Sequence, residues 1–133
     1  MANEAVLVQQ LEDHLMEVTV ADGAGLEKGT VLKWADPNTG SASSADGDIF
    51  CGILATEKTA SDGQTRMAVH RRGVFDMKVD GTGATMGQPV KINGANLVGI
   101  ADDDTIENKG QVIGVAMQTG AADEVIEVLV GGI

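Results

Sequence analysis

The sequence is poor in cysteine, in aromatic residues and in positive charge. Its single cysteine, Cys51, excludes an intrachain disulfide, so burial and backbone pairing must hold the fold together. Trp34, Phe50 and Phe75 are the only aromatic residues, which leaves little with which to stack on bases or sugars. Twenty acidic residues against nine basic ones give a net charge of −11. Such a charge repels nucleic acid and anionic membrane surfaces, so we expect neither as a partner.

Long apolar runs are also missing. No window approaches the roughly 18 uninterrupted apolar residues of a membrane span, and the start of the sequence lacks a basic region followed by an apolar run. We therefore expect synthesis in a reducing cytoplasm without export. A length of 133 residues suits one ordinary domain with a core of its own.

Glycine is abundant, and it separates short apolar runs in the manner of strands joined by turns. The 18 glycines are spread over the whole chain, and several of the runs alternate between apolar and polar residues as half-buried strands do. The predicted strands cover residues 16–20, 30–34, 49–55, 65–70, 73–79, 89–92, 97–101, 111–117 and 125–130. We predict an all-β protein, a single compact β-barrel or β-sandwich domain over residues 16–133 with long exposed loops.

Residues 1–15 precede the first predicted strand. Leu7, Leu11 and Leu15 recur at a spacing of four, which is typical of a short helix, whereas the contiguous apolar residues at positions 6–8 favour an extended arm. We prefer the arm. Residues 36–47 contain many turn-forming residues and are predicted to form an exposed loop.

The two parts of the domain resemble each other. Residues 25–33 and 83–91 share two glycines four apart and a strand that ends in lysine, and residues 50–55 resemble residues 112–117 around Gly52 and Gly114. These matches predict two similar halves, about 16–72 and 73–133. Glycine inside a strand indicates a bulge or a close backbone approach at Gly52 and Gly114.

We find no pattern that indicates catalysis. Cys51 lies in an apolar strand, where a buried structural thiol is the better interpretation than a nucleophile served by His14 or His70. Consecutive aspartates at positions 102–104 point in different directions on a turn, which favours a solvated loop over a metal site, and the calcium-loop spacing that begins at Asp46 fails at Phe50 and Cys51. The sequence therefore predicts no catalytic residue, no cofactor and no metal site.

Candidates for contact with other proteins come from two places. The apolar residues Val6, Leu7, Val8 and Leu11 of the arm could lie across a neighbour or add a strand to its sheet. Arg66, Arg71 and Arg72 form the one basic concentration, which suits carboxylates of a partner or of the chain itself.

Residues 48–58, 72–76 and 114–116, together with the glycine spacing, give the chain a likeness to a known family. It resembles the capsid decoration, or cement, proteins of tailed viruses over residues 18–130. The resemblance implies a virion structural protein of a bacteriophage or an archaeal virus, with no enzymatic activity. It also implies a homotrimer on the outer capsid surface that binds the major capsid protein and braces the shell. The alternative is a ligand-binding or carbohydrate-binding β-barrel module.

Overall fold

The structure is a computed structural model, and it describes residues 3–9, 15–101 and 109–131. Within these ranges the regular elements are strands and one short 3-10 helix, Lys109–Gln111, as the all-β prediction requires. In chain order the strands are β1 (Val6–Gln9), β2 (Met16–Thr19), β3 (Val31–Asp36), β4 (Thr39–Ala42), β5 (Phe50–Leu54), β6 (Arg66–His70), β7 (Gly73–Val79), β8 (Pro89–Ile92), β9 (Leu97–Ile100), β10 (Val112–Ala116) and β11 (Val125–Val130). Eight of the nine predicted strands contain one of them, and β3 runs two residues beyond the predicted range 30–34. No helix in the described part is long and apolar enough to cross a membrane.

Two five-stranded rings make up the fold. The first is a closed barrel of β2 to β6. The second is a sheet in the order β1-β7-β11-β10-β8-β9, in which an added pairing of β9 with β7 joins the strands β7 to β11 into a ring. Closure leaves few unpaired strand edges within each ring.

Both rings use the same pairing scheme. Counted in chain order within each ring, the first strand pairs with the fifth in antiparallel orientation and with the third in parallel orientation. The second strand pairs with the third and the fourth, and the fourth pairs with the fifth. The rings meet at the link Arg71–Arg72, beside the boundary predicted at residues 72 and 73. The shared scheme supports the proposal that the chain contains two similar halves.

Alternation of apolar residues explains how the strands face the core. In β7 the side chains of Phe75, Met77 and Val79 are buried, and the intervening ones are only partly covered. Val31, Phe50 and Ile53 of the first barrel also join the apolar cluster of the second ring. The first barrel also has an apolar cluster of its own, formed by residues of β2, β3, β5 and β6 and by Val20. The cluster that spans both rings joins them into a single compact domain.

Polar contacts from the hairpin of β8 and β9 fasten the second ring to the first. The side-chain Oδ1 of the buried Asn96 accepts a hydrogen bond from the backbone N–H of Val31 at 2.8 Å, and the backbone N–H of Asn96 donates to Oγ of Ser43 at 3.0 Å. Lys91 Nζ lies 2.8 Å from Oδ1 of Asp46. These polar contacts hold the hairpin of the second ring to the first ring, because its partners lie in the loop that follows β4 and at the start of β3.

The prediction of an exposed loop over residues 36–47 was wrong in its middle. Residues 39–42 form β4, which closes the first barrel between β3 and β2. Gly40 is buried against Cys51 and Leu32, and Ser43 is buried as well. Small residues bury their backbone without an apolar side chain, and for that reason the hydrophobic pattern gave no sign of this strand.

Close packing at the two strand glycines confirms the interpretation of Gly52 and Gly114. A Cβ at Gly114 would overlap the carbonyl oxygen of Leu129, and one at Gly52 would lie 2.8 Å from the side chain of Val69. The pairing register also shifts between Val112 and Gly114. Only glycine allows the neighbouring strand to approach this closely.

Candidate functional site

The N-terminal arm is extended at the residues that the structure describes. Its strand β1 pairs in antiparallel orientation with β7, with Leu7 opposite Phe75. Before this strand, the N–H of Ala5 donates to the carbonyl oxygen of Gly29 at 2.7 Å, so the arm contacts both rings. The helical alternative is wrong for residues 6–9, and Leu11 lies outside the described residues.

Alternation along β1 separates the predicted interface residues into two groups. Leu7 packs against the shared core, whereas Val6 and Val8 are 58% and 47% exposed. No charged residue and no proline occurs from Ala5 to Gln9, although these are the usual means by which an edge strand avoids association. The outer face of the arm is therefore an apolar strip available to a partner.

Arg71 contacts the chain itself. Its Nη1 donates to the carbonyl oxygens of Phe50 and Cys51 at 3.0 and 2.7 Å, and its guanidinium lies over the Phe50 ring, 5.3 Å from the ring centroid. These contacts hold the link between the rings against β5. The expected internal pairing with carboxylates is replaced here by carbonyl oxygens.

The link that contains Arg71 and Arg72 runs beside the arm. A Cβ at Gly73 would lie 3.2 Å from the carbonyl oxygen of Gln9 and 3.3 Å from Cδ1 of Leu7. The structure thus brings two of the predicted interface segments together, the arm and the 71–72 link. Both arginines are exposed overall, and they place positive charge next to the apolar strip.

Arg66 lies apart from this surface, at the other end of β6. Its Nη2 is 3.2 Å from Oε1 of Glu17, and both side chains are about two-thirds exposed, at 63% and 64%. An exposed pair of this kind contributes little to stability. The basic concentration seen in the sequence is therefore two separate surfaces in the fold.

The thiol and the buried imidazole have structural surroundings. Cys51 is fully buried, and this burial raises the pKa of its thiol to about 11 although Arg71 acts in the opposite direction. His70 packs edge-on against Phe75 with ring centroids 5.5 Å apart, and burial, followed by repulsion from Lys28, lowers its pKa. A thiol that stays protonated at neutral pH is a poor nucleophile.

Two polar clusters were not anticipated from the sequence. The first surrounds the buried Lys58, whose Nζ lies 2.9 Å from Oδ1 of Asp22 and 2.6 Å from Oδ1 of Asp62. Burial disfavours the charged ammonium, but the hydrogen bonds with Asp62 and Asp22 outweigh it and raise the pKa of Lys58. Asp22 is 36 positions from Lys58, so no local spacing could have indicated the pair.

The second cluster surrounds Asp80. Its carboxylate accepts hydrogen bonds from the N–H and the hydroxyl of Thr82 at 2.8 and 2.7 Å, and from the amide of Asn93. Burial raises the pKa of Asp80, but these hydrogen bonds prevail and lower it. Both clusters fasten loops at the barrel ends. Among the described residues no three histidine, cysteine or acidic side chains are grouped as metal ligands, and Asp102–Asp104 lie outside them.

A third feature missed by sequence reasoning is the tip of the β3–β4 hairpin. A shallow concavity of about 440 Å³ is lined by Trp34, Ala35, Asp36, Pro37 and Asn38. Trp34 is the only tryptophan of the chain and is half-buried, while the other four residues are exposed. The sequence does contain an indication of this turn. Lys33 of the first half matches Lys91 of the second, and the same separation along the chain relates Asn38 to Asn96.

Comparison with known proteins places these surfaces in context. The family model described as phage cement protein matches residues 8–132, nearly the whole chain. None of the curated proteins matches. The match includes both rings, the link between them and the last two residues of β1. The chain belongs to the phage cement protein family.

Proposed function

We propose that the chain is a virion structural protein that binds the outer surface of the major capsid shell and stabilises it. The observation that carries this proposal is the family match over residues 8–132. We further propose that it does so as a homotrimer and without enzymatic activity, which rests on the family resemblance.

The fold offers properties that suit such a module. Two closed rings joined by a common apolar cluster make a compact body with few free strand edges. One surface that suits association is the apolar strip of β1, with Val6 and Val8 outward, together with the neighbouring 71–72 link. We propose this combined surface as one contact with the shell, because it joins apolar area to positive charge in an otherwise acidic chain.

Stabilisation follows from mass action. A protein that binds the assembled shell and not its separated subunits shifts the equilibrium toward the shell. Symmetry multiplies a modest contact over many sites, so each single contact can be weak.

Binding to undecorated shells tests the proposal. Purified shells are mixed with increasing amounts of the chain, sedimented, and analysed for bound chain and for the temperature at which the shells break apart. We expect saturable, stoichiometric binding and a higher disruption temperature. Absence of saturable binding to intact shells would overturn the proposal.

A pair of variants tests the arm surface. Val6→Asp with Val8→Asp adds two charges to the apolar strip, and we expect at least a tenfold loss of shell affinity because these charges would be buried on docking. Thr56→Asp with Ala60→Asp adds the same charge to exposed positions in the loop after β5 and should bind as the unchanged chain does. Equal binding by both variants would remove the arm from the contact.

A further inference from the structure

The two rings carry corresponding hairpins in different surroundings. The β3–β4 hairpin and the β8–β9 hairpin join the second and third strands of their rings. Asn38 and Asn96 occupy the same position in the two turns, and both have a backbone φ of 57°. A positive φ is uncommon outside glycine and is tolerated best by asparagine and aspartate. The turns thus present an asparagine side chain in the same local conformation.

The second hairpin is a docking element within the molecule. Asn96 is 1% exposed, and its side chain receives the N–H of Val31 while its own N–H reaches the hydroxyl of Ser43. The surface that it meets is the start of β3, which offers a backbone N–H beside the hydroxyl of Ser43. Asn96 in this conformation therefore recognises the start of a strand in the other ring.

The first hairpin has the same element without such a partner. Asn38 is exposed, and within the described residues its side chain makes no hydrogen bond. Its backbone oxygen accepts the N–H of Thr19 at 2.7 Å, which fixes the turn to the barrel. The ring of Pro37 fixes the backbone φ of the residue directly before Asn38, so the tip is rigid before any contact forms. The concavity beside Trp34 adds an apolar wall to this tip.

A second copy of the chain does not supply the matching surface. In the first ring the N–H of Ser43 donates to the carbonyl oxygen of Val31. In the second ring the N–H of Ala101 donates to the carbonyl oxygen of Pro89 in the same way. Pro89 and Ala101 therefore occupy the positions that correspond to Val31 and Ser43. Proline has no N–H and alanine has no hydroxyl. The contact that Asn96 makes inside the molecule cannot be repeated head to tail between copies.

We infer that the tip of the β3–β4 hairpin, Trp34 to Asn38, docks onto a different protein at the edge of a strand that offers an unpaired backbone N–H. This inference rests on the proposed function, which supplies a subunit of the capsid shell as that protein. Asn38 accepts the N–H through its side-chain oxygen, and the strand edge lies against Trp34. The hairpin would form a second contact with the shell, separate from the arm.

The experiment compares two glycine variants in the shell-binding assay. Asn38→Gly keeps the backbone conformation and removes only the side chain, and Ser61→Gly does the same at another exposed residue of positive φ, 56°. Ser61 is not part of the β3–β4 hairpin, because it lies in the loop between β5 and β6 and its backbone N–H donates to the carbonyl oxygen of Asp22. We expect Asn38→Gly to bind shells about 2- to 12-fold more weakly, the effect of one hydrogen bond, and Ser61→Gly to bind as the unchanged chain does.

Photo-cross-linking supplies an independent readout. A benzophenone amino acid at Pro37 should cross-link to the major capsid protein in decorated shells, and the same group at Thr56 should not. If the unchanged chain binds shells while Asn38→Gly binds equally well and position 37 yields no cross-link, the docking inference is overturned and the proposed function stands. If the unchanged chain itself does not bind, the proposed function fails first.

Discussion

Replacing Asn96 by glycine removes a polar contact between the rings while keeping the turn. Glycine accepts a φ of 57° without strain, so the loss is that of the side chain and its hydrogen bond from Val31. The N–H of Val31 would remain buried, since Val31 is 1% exposed. A buried donor without an acceptor costs about 1–3 kcal/mol.

This loss of unfolding free energy lowers the melting temperature. A chain of 133 residues has an unfolding entropy of about 0.28 kcal/mol/K, so each kcal/mol lowers the melting temperature by about 4 °C. Asn96→Gly should therefore melt about 4–11 °C below the unchanged chain when thermal unfolding is followed by circular dichroism.

Asn38→Gly is the matched control. It has the same substitution, the same turn position and the same φ, but the side chain is exposed, and exposed substitutions usually change stability by less than about 0.5 kcal/mol. Its melting temperature should stay within about 2 °C of that of the unchanged chain. Equal losses in the two variants would refute the reasoning that only the second hairpin is docked within the molecule.

Three further predictions concern the core and the polar clusters. Gly114→Ala should lower the melting temperature by more than 10 °C or prevent folding, because its Cβ would overlap the Leu129 carbonyl oxygen. Gly81→Ala should melt as the unchanged chain does, because the space around Gly81 is open. Equal melting temperatures of the two variants would contradict the close packing at Gly114. The pKa of Asp80 is lower in the folded state than its ordinary value of 3.8. Its carboxylate therefore stabilises the fold above pH 3.8, and this stabilisation is lost as the pH falls toward the pKa of the folded state. Asp80→Asn should accordingly be less stable than the unchanged chain at pH 7, and the gap in melting temperature should narrow below pH 3.8; a gap that is constant with pH would exclude this role. The buried Cys51 thiol, with its pKa of about 11, should resist a thiol-specific reagent at pH 8 until the chain is unfolded, and reaction at the rate of a free cysteine would show that it is accessible.

Local pattern was sufficient for most strands and for the two strand glycines. Alternation along β7 and the apolar run of β5 are properties of neighbouring residues, so they can be read without the fold. β4 could not be predicted from the hydrophobic pattern, because its one buried residue is Gly40, which has no apolar side chain. The partners of Asn96, and Asp22 as a partner of Lys58, could not be predicted because they are distant in the chain.

The interface candidates divide in the same way. The outward direction of Val6 and Val8 follows from strand alternation once the arm is extended, and the sequence favoured that conformation. The internal contacts of Arg71 depend on where β5 lies relative to the link, which no spacing reveals. The hairpin tip at Asn38 was within reach, because its likeness to Asn96 is visible at a constant offset.

A cryo-electron microscopy map of shells mixed with the chain would show whether and where the chain binds. We expect added density on the outer surface that fits the two rings, with the β1 strip and the tip of the β3–β4 hairpin facing the shell. A map of saturated shells without added density, or with the chain bound inside the shell, would contradict this expectation.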